Sequence, residues 1–180
     1  MIIAGQKKKE NIVEYILYMW HIEDLLRANE FDMERIQMNV IARFEQPDDV
    51  LQQMTIWYRK LIDSMKEEEV LQGGHLVFLV EQVHQLNDMH LNLINDLNEQ
   101  QYSQAYHMAQ PYIAELKRKS AQGSTEIEVC LNALYMLMMI RIKGVTPFGE
   151  TVTALETFSN LLALLSAWYK NNTVQAFDLS

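Results

Sequence analysis

Residues 129–142 read VCLNALYMLMMIRI, a stretch that is apolar on every side of a helix. A helix without a polar face must be covered by other helices or by lipid. Crossing a bilayer takes about 20 apolar residues, whereas this stretch is shorter and carries Arg141 near its end. We therefore predict that residues 129–142 form the buried central helix of an all-α bundle, and that the chain has no membrane span.

Signals for the start and end of helices flank this stretch. Thr125, followed three residues later by Glu128, forms a capping box, and Gly144 and Pro147 mark the turn after the helix. Elsewhere apolar residues recur at three- and four-residue steps, which indicates helices, while strand-period alternation is absent. The sequence predicts about seven helices, near 8–29, 32–44, 47–69, 75–97, 99–120, 126–142 and 147–169.

Length, charge and cysteine content indicate the number of domains, the kind of partner and the cellular compartment. The 180 residues fit one helical domain, 1–180, in which we expect 1–7 and 172–180 to be loosely ordered. The net charge of −9 opposes attraction to phosphates, so we expect no nucleic-acid partner. The single cysteine, Cys130, fits a reducing compartment, and the N-terminus lacks the apolar core of a secretory signal. We infer a cytoplasmic protein.

One helix carries a partial metal-binding motif. Glu81 and His84 form the Glu-x-x-His half-motif of helical di-iron proteins, a site that needs two such motifs and two further glutamates. The chain has one copy, although His21 and Asp24 are also three residues apart. The favoured interpretation is that these are solvated polar residues, and a metal site is the alternative. With no nucleophile elbow and no phosphate-binding glycine loop, the sequence assigns no catalytic residue and predicts no cofactor.

Aromatic residues give the best hint of a partner. Tyr18, Trp20 and Trp57 are distributed around their helices more widely than a single core stripe requires. Aromatic residues left at a surface are typical of protein interfaces. Eleven methionines, a residue type that fills cores and lines adaptable binding surfaces, fit either use. Arg141 is the one charge within residues 129–142, and either its position near the helix end or a polar pocket would satisfy it.

Four segments resemble a known family: KKKENIVEYILYMWHIEDLLRA (7–28), GHLVFLVEQVHQLNDMHLNLI (74–94), EIEVCLNALYMLMMIRIK (126–143) and NLLALLSAWYK (160–170). Together they resemble an uncharacterised family of small all-helical bacterial proteins known only as a domain of unknown function. The resemblance covers nearly the whole chain and implies a bacterial, cytoplasmic, helical protein. It brings no activity, cofactor or catalytic residue.

These observations favour a non-enzymatic helical protein–protein interaction or regulatory module that binds another protein or a second copy of itself, with a homodimer as the favoured form. The alternative is a metal-binding bundle or metal-dependent enzyme that uses Glu81 and His84 with His21 or Asp24. A third hypothesis is a small-ligand sensor with an apolar pocket near Arg141.

Overall fold

Six of the seven predicted helices begin within three residues of an observed start, but the predicted helix 32–44 ends at Asn39 and the last helix continues to Phe177 instead of ending near 169. The computed structural model describes residues 2–96 and 99–177, and this part of the chain contains eight α-helices, one 3₁₀ turn (Ile41–Arg43) and no strand. The predicted all-α bundle is therefore confirmed. The α-helices are α1 (Ile2–Glu10), α2 (Ile12–Ala28), α3 (Met33–Asn39), α4 (Asp48–Glu67), α5 (Val77–Asn95), α6 (Gln100–Lys117), α7 (Glu126–Ile142) and α8 (Glu150–Phe177).

Asn11 divides the first predicted helix into α1 and α2. Its backbone is extended, with φ −154°, and its side-chain oxygen accepts hydrogen bonds from the backbone N–H groups of Val13 and Glu14 at 3.0 and 3.1 Å. Asparagine is a favoured N-cap, so it starts a new helix even within an otherwise helical sequence. Part of the predicted loose ends lies in helices, with 2–7 in α1 and 172–177 in α8, while residues 1 and 178–180 lie outside the described residues.

Five helices build the main bundle. The long helix α8 contacts α2, α5, α6 and α7, and α7 also contacts α2, α5 and α6. Each of the five contributes fully buried side chains to one shared core, as shown by Ile16, Leu86, Ala109, Leu131 and Leu161. No described helix is both long and apolar enough to cross a membrane. The apolar sides of these helices are thus buried against one another.

Residues 30–69, which we call the excursion, follow α2, and their buried side chains, such as Ile36, Tyr58 and Met65, belong to the same hydrophobic core as the bundle. The excursion includes α3, the 3₁₀ turn and α4.

One guanidinium nitrogen of Arg27 donates hydrogen bonds to the carbonyl oxygens of Val70 and Gly74, at 3.0 and 2.6 Å. Asp24 holds the same guanidinium through an ion pair of 2.9 Å. Arg27 therefore holds the segment between the excursion and α5 against helix α2.

The central helix α7 is buried at its start and open towards its end. Ile127 and Leu131 are fully buried, but Met136 is 66% exposed and Ile142 is 61% exposed. This corrects the prediction that residues 129–142 are buried on all sides. Neighbouring helices cover the first half of α7, whereas the outward side of its second half remains uncovered by the described residues.

Candidate functional site

An apolar groove runs between the second half of α7 and the first half of α8, and we call it the α7–α8 groove. It consists of two adjoining hollows of about 450 and 470 Å³, which share Leu137, Arg141 and Ser159 and are both open to solvent. The groove therefore lies along the second half of α7, where neighbouring helices no longer enclose this helix. Its remaining lining residues are Leu134, Met138, Ile142, Thr146, Pro147, Val152, Leu155 and Glu156.

A tight turn closes one end of this groove. Gly144, with φ +76°, donates its N–H to the carbonyl of Arg141, and Val145 donates to the carbonyl of Ile140. These two hydrogen bonds form a Schellman motif, which ends α7 and requires the left-handed backbone that glycine adopts readily. Beyond it, Pro147 lines the groove and Phe148 is 87% exposed. The turn thus presents an aromatic ring to solvent beside an apolar groove.

The groove carries one cation and one anion. Arg141 and Glu156 both line it, and neither forms an ion pair with another described residue. Arg141 is exposed close to the C-terminus of α7, where a cation also interacts favourably with the helix dipole. Arg141 thus has features of both sequence interpretations, since it is exposed near the helix end and also lines the groove.

The predicted metal-ligand candidates lie on two helices, with His21 and Asp24 on α2 and Glu81 and His84 on α5. Glu81 and His84 are exposed on α5, and His84 lines a cavity of about 50 Å³ together with Trp20, His75 and other residues. Asp24 is engaged by the side chains of Arg27 and Tyr135. The part of the chain that the structure describes holds no group of three His, Cys, Asp or Glu side chains suited to a metal ion. Metal binding stays an alternative hypothesis.

Helix α2 holds the remaining candidate, His21, in a partly buried position. Burial lowers the pKa of His21, and the nearby carboxylate of Asp24 opposes this shift in part. No described donor or acceptor contacts its buried Nδ1 atom. His21 is therefore less exposed than Glu81 and His84 on α5.

The three aromatic candidates occupy different environments. Trp20 is only 2% exposed, and its indole stacks on the imidazole of His75 with ring centroids 4.4 Å apart. Its side chain offers no surface to a partner in the folded monomer, which corrects the expectation of an interface position. Tyr18 and Trp57 are half-buried and pack against the core. Their participation in an interface stays a prediction.

A buried carboxylate to which the sequence analysis assigned no role, Glu23, fixes the start of α5. Glu23 is fully buried and accepts a hydrogen bond from the backbone N–H of Leu76 at 2.9 Å and another from His75 Nδ1 at 2.6 Å. Because a carboxylate only accepts hydrogen bonds, the proton lies on His75 Nδ1. A signal was available, since Glu23 follows Met19 by four residues and precedes Leu26 by three, both core positions of α2.

A second polar cluster lies inside the bundle around His90. Its imidazole is fully buried, with Nδ1 2.8 Å from the hydroxyl of Tyr102 and Nε2 3.3 Å from a carboxylate oxygen of Glu126. The Glu126 carboxylate accepts a hydrogen bond from Nε2–H, so Nδ1 of the neutral ring accepts a hydrogen bond from the Tyr102 hydroxyl. Burial also raises the pKa of the Cys130 thiol, which keeps it protonated and unreactive.

We expect stability to fall as the pH is lowered through the ordinary histidine pKa of 6.5. Burial lowers the pKa of His90 in the fold, and hydrogen bonding and charge from Glu126 oppose that shift. The unfolded chain therefore takes up this proton more readily, so the stability present above pH 6.5 is lost below it. Urea titrations at several pH values measure the slope.

The substitution His90→Gln should flatten that slope, because it removes the titrating group. His107→Gln is the matched control, since His107 is exposed on α6. An unchanged slope in His90→Gln would show that other groups set the pH dependence.

Comparison with protein-family models gives a match. A family model described as Domain of unknown function (DUF4924) covers residues 1–175. The searches of curated proteins and of solved structures returned no match. The family match confirms the resemblance stated for the four sequence segments, and it assigns no activity to the groove or to the polar clusters.

Proposed function

Because the chain belongs to the family described as Domain of unknown function (DUF4924), we propose its role from its geometry. It is a non-enzymatic helical interaction module that acts by association with a second copy of itself. The observation that carries this proposal is the uncovered apolar surface formed by the end of α7, the turn after it and the α7–α8 groove.

Exposed apolar side chains concentrate at this place. Among the described residues, Met136, Ile142, Val145 and Phe148 are large, apolar and exposed within one short segment. Single exposed apolar residues are normal on a soluble protein, whereas a concentrated apolar surface is typical of an interaction site. The other exposed large apolar residues are distributed over four helices: Met38, Ile56, Val77, Val80, Leu91 and Met108.

The charges at the groove favour a second copy as the partner. The net charge of −9 makes two copies repel each other in general, so association needs a surface that is locally balanced. The groove supplies this balance, with one cation at Arg141 and one anion at Glu156. In a twofold interface the same surface meets itself, so Arg141 of one copy can pair with Glu156 of the other.

The substitution Ile142→Lys tests this proposal. We expect wild-type protein to sediment as a dimer at micromolar concentration, and Ile142→Lys to raise the dimer dissociation constant by about 30-fold or more, a loss typical of a central interface residue. Lysine near the C-terminus of α7 suits the helix dipole, so the monomer fold should persist. Analytical ultracentrifugation measures the association, and circular dichroism checks the helix content.

Ile56→Lys is the matched control. Ile56 lies on α4, is 49% exposed and is not part of the groove. The same chemical change there should leave the dissociation constant unchanged. Equal effects of the two substitutions, or a strictly monomeric wild type at about 100 µM, would contradict the proposal.

The experiment also separates the alternatives. A monomeric protein that carries stoichiometric iron or zinc would favour the metal hypothesis based on Glu81, His84, His21 and Asp24. The single buried Cys130 and the acidic charge are consistent with a cytoplasmic protein that does not bind nucleic acid, and both of these remain part of the proposal.

A further inference from the structure

Phe148 is the most exposed of the large apolar side chains among the described residues, at 87%. It follows Pro147, which lines the α7–α8 groove, and lies between Gly144 and Gly149, whose φ angles are +76° and +63°. At this exposure the ring does not fill its own groove. Leaving an aromatic ring in water costs free energy that a partner's apolar surface would recover.

We propose that Phe148 of one copy inserts into the α7–α8 groove of a second copy, and that the second copy does the same in return. This inference rests on the proposed self-association and identifies the group that occupies the groove. It assigns Phe148 as the anchor of the interface and the α7–α8 groove as its receptor.

The size and lining of the groove fit this occupant. Each hollow, at about 450 or 470 Å³, lies in the range of about 300–1,000 Å³ in which proteins hold small organic groups. The aliphatic side chains of Leu137, Val152 and Leu155 line it on both helices, which suits an aromatic ring with no polar atoms. An anchor side chain seated in an apolar pocket is typical of the residues that dominate interface energy.

The positions of ring and groove favour a closed dimer. Anchor and receptor are adjacent on the same chain, because Phe148 directly follows a groove residue. A twofold axis that passes beside the turn therefore brings each ring to the opposite groove at once. Had the ring been on the far side of the molecule, the same contact would have produced an open chain of subunits instead.

Complementation between two variants tests the reciprocal exchange. Phe148→Ala removes the ring, and Ser159→Trp fills the groove from an exposed position on α8 that lines both hollows. We expect each variant alone to bind itself at least about tenfold more weakly than wild type. A 1:1 mixture should form a heterodimer more readily than either variant forms a homodimer, because one intact ring meets one open groove. Native mass spectrometry distinguishes the species by mass.

Met108→Ala is the control, since Met108 is 67% exposed on α6 and lies outside both the turn and the α7–α8 groove. It should keep the wild-type dissociation constant. Ser159→Phe is a second groove-filling variant, for use if Ser159→Trp lowers the helix content measured by circular dichroism.

The outcomes separate this inference from the proposed function. If wild-type protein is monomeric, self-association and ring exchange are both wrong. If wild type dimerises and Ile142→Lys weakens it, but Phe148→Ala has no effect, self-association stands and the ring is not its anchor. If the mixture associates no better than the separate variants, the exchange is not reciprocal and the inference is overturned.

Discussion

Leu131→Ala is expected to lower the free energy of unfolding by about 2–5 kcal/mol, through lost transfer energy and the cavity that truncation leaves. Leu131 is fully buried in the first half of α7, where neighbouring helices enclose it. Urea titration followed by circular dichroism measures the change.

Leu134→Ala is the matched comparison on the same helix. Leu134 is half-buried and lines the α7–α8 groove, so water already reaches part of its side chain. We expect a smaller loss, because less apolar surface is removed from burial. The sequence alone would place Leu134 in the core, since every side of residues 129–142 is apolar. Equal losses at the two positions would mean that the second half of α7 is as enclosed as the first.

Glu23→Ala is expected to cost about 2–4 kcal/mol, because it leaves the buried N–H of Leu76 without an acceptor and removes the partner of His75. Glu23 is fully buried and its two carboxylate oxygens contact these two groups separately. Thermal and urea unfolding measure the loss. Amide hydrogen exchange should show faster exchange at Leu76 in this variant.

Glu23→Gln is the control for this prediction. The amide oxygen of glutamine can still accept one hydrogen bond, so part of the interaction survives. We expect a smaller loss than in Glu23→Ala and slower exchange at Leu76. A similar loss in both variants would indicate that the negative charge, rather than the hydrogen bond to Leu76, stabilises the start of α5.

Local signals made much of the fold predictable. Thr125 and Glu128 form the capping box that their spacing predicts, and the side chain of Asp32 accepts hydrogen bonds from the first backbone N–H groups of α3. The three- and four-residue recurrence on α2 places Ile16 and Leu26 in the core, where both are fully buried. These features depend on residues within one or two helical turns, so they can be inferred from the sequence.

The remaining features depend on contacts that are distant in sequence. Glu23 lies 52 residues from His75, and the exposure of Ile142 depends on which helices cover α7. Hydrophobic periodicity specifies which side of a helix is apolar, but not whether another helix or a second chain covers it. An apolar sequence such as 129–142 is therefore compatible with both a core and an interface, and in this structure its first half is buried while part of its second half is exposed.

The contacts between α2 and residues 70–76 also determine which loop must close when the chain folds, and how much entropy this closure costs. The hydrogen bonds from Arg27 to Val70 and Gly74 close a loop of 43 to 47 residues around the excursion. The entropic cost of closing a loop increases only with the logarithm of its length, so changes in length within the excursion alter that cost by a few tenths of a kcal/mol, on the order of RT. We therefore expect a short insertion between α3 and α4 to destabilise the fold less than loss of the two hydrogen bonds that Arg27 donates.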